Sequence, residues 1–231
     1  MKDLATLDWE RITADLDADG CAVTGPLLSE AECNTLRDSY DVDRLFRSHV
    51  IMARHGFGLG EYKYFSYPLP EIVADLRERV YARLAPLANS WAEIMRQEQR
   101  YPADLSTFTR RCHEAGQRKP TPLMLRYGPG DFNRLHRDLY GPLAFPIQMA
   151  VLLSNPETFE GGEFMLVENR PRMQARGDVI SLRQGDAVLF AVNERPVQGT
   201  RGPYRVSMRH GVSRLRSGTR HTLGVIFHDA Q

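Results

Sequence analysis

Apolar residues recur every three or four positions between residues 71 and 96, which predicts a long amphipathic helix. Its apolar face consists of Ile72, Leu76, Val80, Leu84, Leu87, Trp91 and Met95. A helix with one continuous apolar stripe has to cover another apolar surface. Pro86 lies within the helix and is expected to kink it or divide it in two.

Shorter signals precede this helix. Residues 9–16 form an amphipathic stretch that predicts a helix, and residues 21–28 form a strand-like run. Ser29 and Glu32 have the spacing of a capping box, in which the hydroxyl caps the first turn and the carboxylate returns to the N–H of Ser29. A second helix is therefore expected to begin directly after Ser29.

The pattern changes after Pro122, where short β-rich runs alternate with turn signals. The runs cover residues 123–127, 147–153, 162–167, 179–182, 187–192, 204–210 and 222–227. Many short strands without helices between them are typical of an antiparallel double sheet or barrel, such as a jelly roll. The predicted fold class is mainly β with a helical N-terminal part (α+β), and the helices are expected to support one outer face of the sheets.

A chain of 231 residues has the length of one sizeable domain. We expect a single domain over residues 1–231, with mainly helical support and a lid in 1–121 and the β core with the metal site in 122–231. Residues 52–67 contain several glycines and aromatics, with Arg54 and His55 side by side. A structural loop packed by its own aromatics and a substrate-facing lid both account for this segment.

Charge and composition exclude several classes of protein. Lys and Arg total 30 against 29 for Asp and Glu, so no global attraction to nucleic acid or to an anionic membrane is expected. The chain has no run of 18 apolar residues and no secretion signal at its start. Its 3 cysteines form no CxxC pair and are expected to be small buried side chains. These features predict a soluble cytoplasmic protein.

Two histidines and one aspartate form a candidate metal site. His136 and Asp138 are two positions apart, so an extended backbone directs both side chains to the same side. His210, at the end of a later strand, completes a two-histidine, one-carboxylate set that is typical of Fe(II) sites with open positions for O₂ and a co-substrate. Structural zinc would need a fourth ligand. The alternative is a turn with a surface ion pair.

Arg220 is a candidate carboxylate-binding residue. It follows His210 by 220 − 210 = 10 positions, across a turn, at the start of the next strand. A guanidinium there can form a two-point, charge-assisted pair with the far carboxylate of a dicarboxylic acid held on the metal. Strand alternation directs Arg220 and Thr222 to one face, so Thr222 is expected to add a hydroxyl contact.

Four segments in order resemble the prolyl-4-hydroxylase-like branch of the Fe(II)/2-oxoglutarate dioxygenases. They cover residues 125–138, 159–164, 184–190 and 210–220. The resemblance implies a double-stranded β-helix core of the cupin-like kind, Fe(II) and O₂, 2-oxoglutarate as co-substrate, and succinate and CO₂ as by-products. It also implies that Tyr127 hydrogen-bonds the co-substrate. Prolyl hydroxylases usually have lysine where this chain has Arg220, which disfavours a collagen-type substrate.

The whole chain is similar to a bacterial subfamily proposed to act oxidatively on damaged, methylated DNA. A flipped base would need aromatic partners, for which Tyr62, Tyr64 and Phe65 are candidates, while Arg54 and His55 are candidate substrate contacts. The alternative functions are a protein or peptide (prolyl-type) hydroxylase, a small-molecule hydroxylase, and a non-catalytic cupin-like binding or sensor domain.

The remaining basic residues have ordinary explanations. His49, His113, His221 and His228 are expected to be packing or surface histidines. Arginines are frequent in the C-terminal half, at Arg170, Arg172, Arg176, Arg183, Arg195, Arg201, Arg205, Arg209, Arg214 and Arg216. Solvated strands and loops account for this local bias, and a groove for a phosphate backbone is the alternative.

Overall fold

Two antiparallel sheets form the centre of the protein in a computed structural model that describes residues 3–231. The helices are α1 (Trp9–Asp19), α2 (Glu30–Asp38), α3 (Glu71–Ile94) and α4 (Leu105–Glu114). The strands are β1 (Cys21–Pro26), β2 (Phe46–Ile51), β3 (Gly58–Leu59), β4 (Glu61–Phe65), β5 (Leu123–Tyr127), β6 (Phe132–His136), β7 (Ile147–Leu152), β8 (Phe159–Gly161), β9 (Phe164–Asn169), β10 (Arg176–Ile180), β11 (Asp186–Ala191), β12 (Glu194–Gly199), β13 (Gly202–Val212), β14 (Leu215–Gly218) and β15 (Arg220–Val225).

The strand order is that of a jelly roll. One sheet has seven strands in the order β1-β11-β7-β15-β5-β4-β2. The second has the order β10-β9-β13-β6-β3, with β12 paired to β13, and β14 pairs with β8 in a small third sheet. Non-consecutive neighbours such as β15 and β5 bring distant parts of the chain together, so a cavity between the sheets can collect side chains from both.

The predicted helix over residues 71–96 is confirmed as α3. Leu76, Val80, Leu84, Leu87, Trp91 and Met95 are buried in the main apolar core, and Ile72 packs against that core. The helix continues through Pro86 without interruption, so of the two expected effects of this proline the division into two helices does not occur. Within residues 3–231 no helix is long and apolar enough to span a membrane.

The signals at the start of the chain are also confirmed. Residues 9–16 lie in α1, and residues 21–26 form β1. Ser29 and Glu32 form the predicted capping box, since the hydroxyl accepts from the N–H of Glu32 and the carboxylate accepts from the N–H of Ser29. α1 ends at Asp19 and is capped by Gly20, which has a φ of +77°.

Arg195 has a structural role that its sequence context did not indicate. Its guanidinium is fully buried and donates to the carbonyls of Asp17 and Ala18 at the C-terminus of α1. It also pairs with the buried Glu168 at 2.5 Å. A Cβ at Gly20 would lie 2.7 Å from Arg195 Nε, so glycine leaves room for the guanidinium. This arginine is therefore not part of a phosphate groove.

Three strands between residues 46 and 65 were missed by the hydrophobic pattern. β2 and β4 extend the seven-stranded sheet, and β3 pairs with β6 in the second sheet. Residues 52–67 are therefore only partly a loop. β6 and β12 were missed as well. Pro196 lies within β12, where a strand at the margin of the sheet tolerates a proline.

Candidate metal and co-substrate site

A cavity of about 410 Å³ lies between the two main sheets. The seven-stranded sheet contributes residues of β4, β5, β7, β11 and β15, and the second sheet contributes residues of β6, β9 and β13. His136, Asp138, His210, Arg220, Thr222 and Tyr127 all line this cavity. Residues separated by up to 226 − 56 = 170 positions thus share one chamber.

His136, Asp138 and His210 come together as the sequence predicted. His136 at the end of β6 lies directly opposite His210 of β13, and their rings are 4.2 Å apart. Asp138 Oδ1 is 3.5 Å from His136 Nε2, and Asp138 Oδ2 is 3.4 Å from His210 Nε2. All three potential ligand atoms lie within 4.8 Å of one another, a spacing that one metal ion can bridge.

Neighbouring groups fix the orientation of these side chains. His136 Nδ1 is 2.7 Å from the carbonyl oxygen of Arg134, to which it can only donate, so Nε2 carries the free lone pair. Phe164 stacks on the His210 ring at 6.0 Å, and Phe190 packs against it at 4.7 Å. Both imidazoles are therefore held with Nε2 toward Asp138.

The electrostatics favour the protonation states that a metal requires. Burial lowers the pKa of His136, and His210 lowers it further. Burial acts to raise the pKa of Asp138, but hydrogen bonding and charge interaction with His210, the charge of His136 and a hydrogen bond from Tyr140 lower it overall. An ionised carboxylate beside a neutral imidazole is the form that binds a cation.

Arg220 is buried at the far end of the cavity with only 3% of its surface exposed. Its Nη1 donates to Thr222 Oγ1 at 2.6 Å. No carboxylate of residues 3–231 lies within ion-pair distance of the guanidinium, and burial lowers the pKa of Arg220. A buried cation without an anionic partner is unfavourable, so this end of the cavity suits a carboxylate ligand.

Tyr127 and Gly162 complete the surroundings of Arg220. Tyr127 lies opposite Arg220 in the β5–β15 pairing, and Arg220 Cζ is 5.8 Å from its ring. The Tyr127 hydroxyl is buried without a hydrogen-bond partner in the described chain, and burial raises its pKa, so it remains a donor. A Cβ at Gly162, whose φ is +66°, would lie 2.9 Å from Arg220 Cδ. Glycine therefore allows the arginine its position.

Only two of the residues predicted to contact the substrate line the cavity. Tyr62 and Tyr64 line the cavity. Arg54 and His55 are exposed and do not line it, and the His55 ring stacks on Phe57 at 5.3 Å. Phe65 points into the apolar core and stacks on Phe46. Arg54, His55 and Phe65 therefore lie outside the cavity lining, although Gly56 and Phe57 beside them belong to it, and a role of Arg54 and His55 in substrate contact stays a prediction.

The other histidines have packing or surface positions, as predicted, and the cysteines form no disulfide. His113 Nε2 pairs with the buried Asp229 at 2.8 Å, and His49 pairs with Glu61 at 2.6 Å. His221 and His228 are buried, and neither belongs to the metal-ligating group found among residues 3–231. Cysteines 21, 33 and 112 are free thiols, two of them buried.

Sequence reasoning missed two polar groups of the cavity, Tyr140 and Gln148. Tyr140 follows Asp138 by two positions and donates to its Oδ1 at 2.8 Å. Gln148 is the one polar residue in the otherwise apolar run of β7, Ile147–Leu152. A polar residue in a strand that is buried throughout is a signal that the sequence does offer.

Three arginines without acidic partners border the cavity. Arg134 and Arg137 line its mouth, and Arg137 and Arg209 line a shallow groove beside His136. Among the described residues none of the three forms an ion pair, whereas Arg170, Arg176, Arg205 and Arg216 each pair with an acid. These three arginines therefore give the opening of the site a positive charge that no acid of the described residues neutralises.

Solved structures share this architecture at low sequence identity. A prolyl-4-hydroxylase of Pseudomonas putida superposes with a TM-score of 0.53 at 14% identity, covering 96% of this chain and 99% of that one. A prolyl hydroxylase of Trichoplax adhaerens gives a TM-score of 0.60 at 10% identity, covering 94% of this chain and 87% of that one. At such identities the similarity concerns the fold, and it confirms the predicted jelly roll with helices.

Closer relatives are found by sequence. Two uncharacterised proteins of Mycobacterium tuberculosis, from strains CDC 1551 / Oshkosh and H37Rv, are 46% identical over 167 residues, 72% of this chain and 72% of each relative. Residues 60–230 match a family described as "Oxygenase, catalysing oxidative methylation of damaged DNA". The predicted relationship to the dioxygenases and the predicted enzyme class are thereby confirmed. Because the match spans most of its length, the chain belongs to this oxygenase family.

Proposed function

We propose that this oxygenase uses Fe(II), 2-oxoglutarate and O₂ to oxidise methyl groups on damaged bases in DNA. One observation carries the proposal. The three potential metal ligands His136, Asp138 and His210 line the same cavity as Arg220, which is buried and forms no ion pair with an acid of the described residues. A metal at one end and a carboxylate-binding cation at the other match the two ends of a 2-oxo dicarboxylic acid.

The donor set fits iron(II). Two imidazole nitrogens and one carboxylate occupy three positions of an octahedral ion and leave the others for exogenous ligands. No cysteine or further acid joins the group among residues 3–231, so a closed structural zinc site is disfavoured. Arg134 supports this arrangement, since its carbonyl accepts from His136 Nδ1 and leaves Nε2 for the metal.

The far end of the cavity fits the distal carboxylate of 2-oxoglutarate. Arg220 supplies the charge, and Thr222 holds its guanidinium from the same face of β15. Tyr127 contributes an unpaired hydroxyl donor beside it. Charge-assisted hydrogen bonds of this kind are about twice as strong as neutral ones, so they can anchor the co-substrate.

Bound iron, 2-oxoglutarate and O₂ would supply the oxidation, in which 2-oxoglutarate becomes succinate and CO₂ and one oxygen atom enters a substrate C–H bond. On an N-methyl group the product N–CH₂OH breaks down to N–H and formaldehyde. The protein's own residues position the groups and limit the access of water. The family's description supports damaged DNA as substrate, and Arg134, Arg137 and Arg209 support binding of a phosphate backbone at the cavity mouth.

A turnover experiment tests the proposal. Protein with Fe(II), 2-oxoglutarate and single-stranded DNA bearing a methylated base should release succinate and formaldehyde together, faster than with unmethylated DNA. His136→Ala and Asp138→Ala should abolish both products. Succinate release that no DNA stimulates, but that a prolyl peptide or a small molecule does, would reject DNA as substrate.

Metal and co-substrate binding are measured separately. Anaerobic addition of Fe(II) and 2-oxoglutarate should give a visible charge-transfer absorption, which His136→Ala should lack. Metal binding without consumption of 2-oxoglutarate under any condition would instead favour a binding or sensor domain. His113→Ala is a matched control, because His113 pairs with Asp229 outside the cavity.

A further inference from the structure

Gln148 on β7 has a buried side chain whose amide nitrogen lacks a hydrogen-bond partner in the described chain. Only 3% of its surface is exposed, and its Nε2 has no hydrogen-bond partner. The neighbouring strand residues Ile147 and Met149 are fully apolar. A buried amide nitrogen that makes no hydrogen bond costs free energy, which an acceptor on a bound ligand would recover.

The β-sheet register places this amide beside the candidate metal site. Gln148 lies directly opposite Phe190 in the β7–β11 pairing. Side chains of directly opposite residues lie on the same face of a sheet, and the Phe190 ring is 4.7 Å from the His210 ring. All three residues line the cavity. Only Phe190 therefore lies between Gln148 and the potential metal ligand His210.

Gln148 and Arg220 occupy opposite ends of the chamber. In the β15–β7 pairing Thr222 lies opposite Leu152, and Gly224 lies opposite Ala150. Because the two strands are antiparallel, Gln148 lies farther along β7 from the Arg220 end of β15 than either of these pairs does. Leu152, which lies opposite Thr222, and Gln148 are 152 − 148 = 4 residues apart on β7. At the usual rise per residue this separation is about 13 Å along the strand. The Arg220 end holds the co-substrate in the proposed function, which leaves the Gln148 end for the substrate.

Aromatic side chains line the chamber between its two ends. Tyr64 forms a small apolar cluster with Leu123 and Ile226, and Tyr62 and Tyr140 pack against it. The Tyr62 and Tyr64 rings meet edge to face at 5.4 Å, as do the Tyr64 and Tyr140 rings at 6.3 Å. These rings offer apolar and π surface to a flat ligand, whereas Gln148 offers one donor and one acceptor in a single plane.

We propose that Gln148 reads the hydrogen-bonding edge of a nucleobase inserted among these tyrosines, and so selects the substrate class. This inference rests on the proposed function. A nucleobase combines a flat ring with adjacent donors and acceptors, and enzymes that act on bases read an extruded base by edge hydrogen bonds and stacking. A proline ring has no polar edge and would leave the amide unpaired at a cost. The amide therefore favours a base over a prolyl side chain.

Binding without turnover tests the inference. Single-stranded oligonucleotides that differ at one central position, carrying a methylated adenine, a methylated cytosine or an abasic site, are titrated anaerobically with protein, Fe(II) and 2-oxoglutarate. The wild type should bind a methylated base more tightly than the abasic site. Gln148→Met keeps the length of the side chain and removes its donor and acceptor. It should weaken base binding roughly 10- to 100-fold and leave abasic binding unchanged.

Two readouts separate recognition from a structural role. Because no protein group among residues 3–231 bonds Nε2 of Gln148, the Tm of Gln148→Met should equal or exceed that of the wild type. The matched control is Gln198→Met, an exposed glutamine on β12 whose Nε2 donates only to the carbonyl of Gly199. It should bind all oligonucleotides as the wild type does.

The outcomes distinguish this inference from the proposed function. If the wild type prefers the base and Gln148→Met keeps that preference, the role of Gln148 is refuted while DNA remains the substrate. A wild type that forms the iron and 2-oxoglutarate complex but does not prefer a methylated base over an abasic site refutes both. A Tm of Gln148→Met lowered by more than roughly 4 °C would assign the amide to the fold and refute its role in recognition.

Discussion

The hydroxyl of Tyr140 donates a hydrogen bond of 2.8 Å to Oδ1 of Asp138. Tyr64 on β4 donates in turn to the Tyr140 hydroxyl at 3.0 Å, and Arg47 lies over the Tyr64 ring at 4.5 Å. Asp138 follows the end of β6 and has no strand of its own to hold it. This relay from the opposite sheet therefore fixes the carboxylate toward the two histidines.

Tyr140→Phe is expected to weaken metal binding. Loss of a hydrogen bond to a ligating group commonly lowers metal affinity about 10- to 100-fold, because the ligand becomes free to rotate. Titration of the metal-free protein with Fe(II) under anaerobic conditions measures the effect. Tyr81→Phe is the control, since Tyr81 bonds the carbonyl of Pro102 away from the cavity. Equal affinity of Tyr140→Phe and Tyr81→Phe would show that the relay does not position Asp138.

Arg220→Met is expected to weaken 2-oxoglutarate binding without loss of metal affinity. A hydrogen bond to a charged group contributes about 1.5–3 kcal/mol, which corresponds to roughly 10- to 150-fold in affinity. Thr222→Val should have a smaller effect, about 1 kcal/mol, because it removes only the group that holds Nη1. Isothermal titration of the iron-loaded protein with 2-oxoglutarate measures both. Unchanged affinity in Arg220→Met would place the distal carboxylate elsewhere.

The first two metal ligands could be predicted from sequence because their signal is local. His136 and Asp138 are two positions apart next to a strand, and strand periodicity then directs both to one side. The direct pairing of His210 with His136 could not be deduced, because it depends on β13 lying beside β6 across 210 − 136 = 74 positions. The same holds for Tyr127 opposite Arg220.

The strands near residues 46–65 were hidden by their edge position and by glycines. β2 lies at the margin of its sheet and carries Arg47 and His49, so the apolar alternation is weak. Gly58 has a φ of +140°, and a Cβ there would lie 2.2 Å from the carbonyl oxygen of Phe132. The glycine that resembles a loop signal in the sequence is what lets β3 approach β6.

His221 is expected to make the protein less stable in mild acid. It is 8% exposed, and burial, followed by the charges of Arg126 and Arg37, lowers its pKa to about 4. Between pH 4 and about 6.5 the unfolded chain binds a proton that the folded one does not. The free energy of unfolding should therefore fall as the pH decreases through this range, by about 1 kcal/mol per pH unit for this group.

Urea denaturation at several pH values measures this slope for the wild type and for His221→Phe. The phenyl ring can retain the edge contact with Tyr40, which the imidazole makes at 5.6 Å, and it cannot be protonated. The variant should therefore show a shallower decrease, while Gln198→Met, at an exposed position without a titratable side chain, should keep the wild-type slope. Parallel curves for wild type and His221→Phe would refute the assignment.

The arginines at the cavity mouth predict how DNA binding depends on salt. Arg134 and Arg137 are exposed, Arg209 is half-buried, and none forms an ion pair with an acid among the described residues, so each is available for a phosphate. Each phosphate contact on single-stranded DNA contributes about 0.7 to the slope of log affinity against log salt. Arg134→Gln and Arg209→Gln should each reduce the slope by about that amount, and they should weaken binding equally for methylated and unmethylated strands.

Arg110→Gln, on α4 and outside the cavity lining, should leave the slope unchanged. A slope that is the same in all three variants would mean that the backbone does not cross this opening, because counterion release depends only on the phosphates that the protein neutralises.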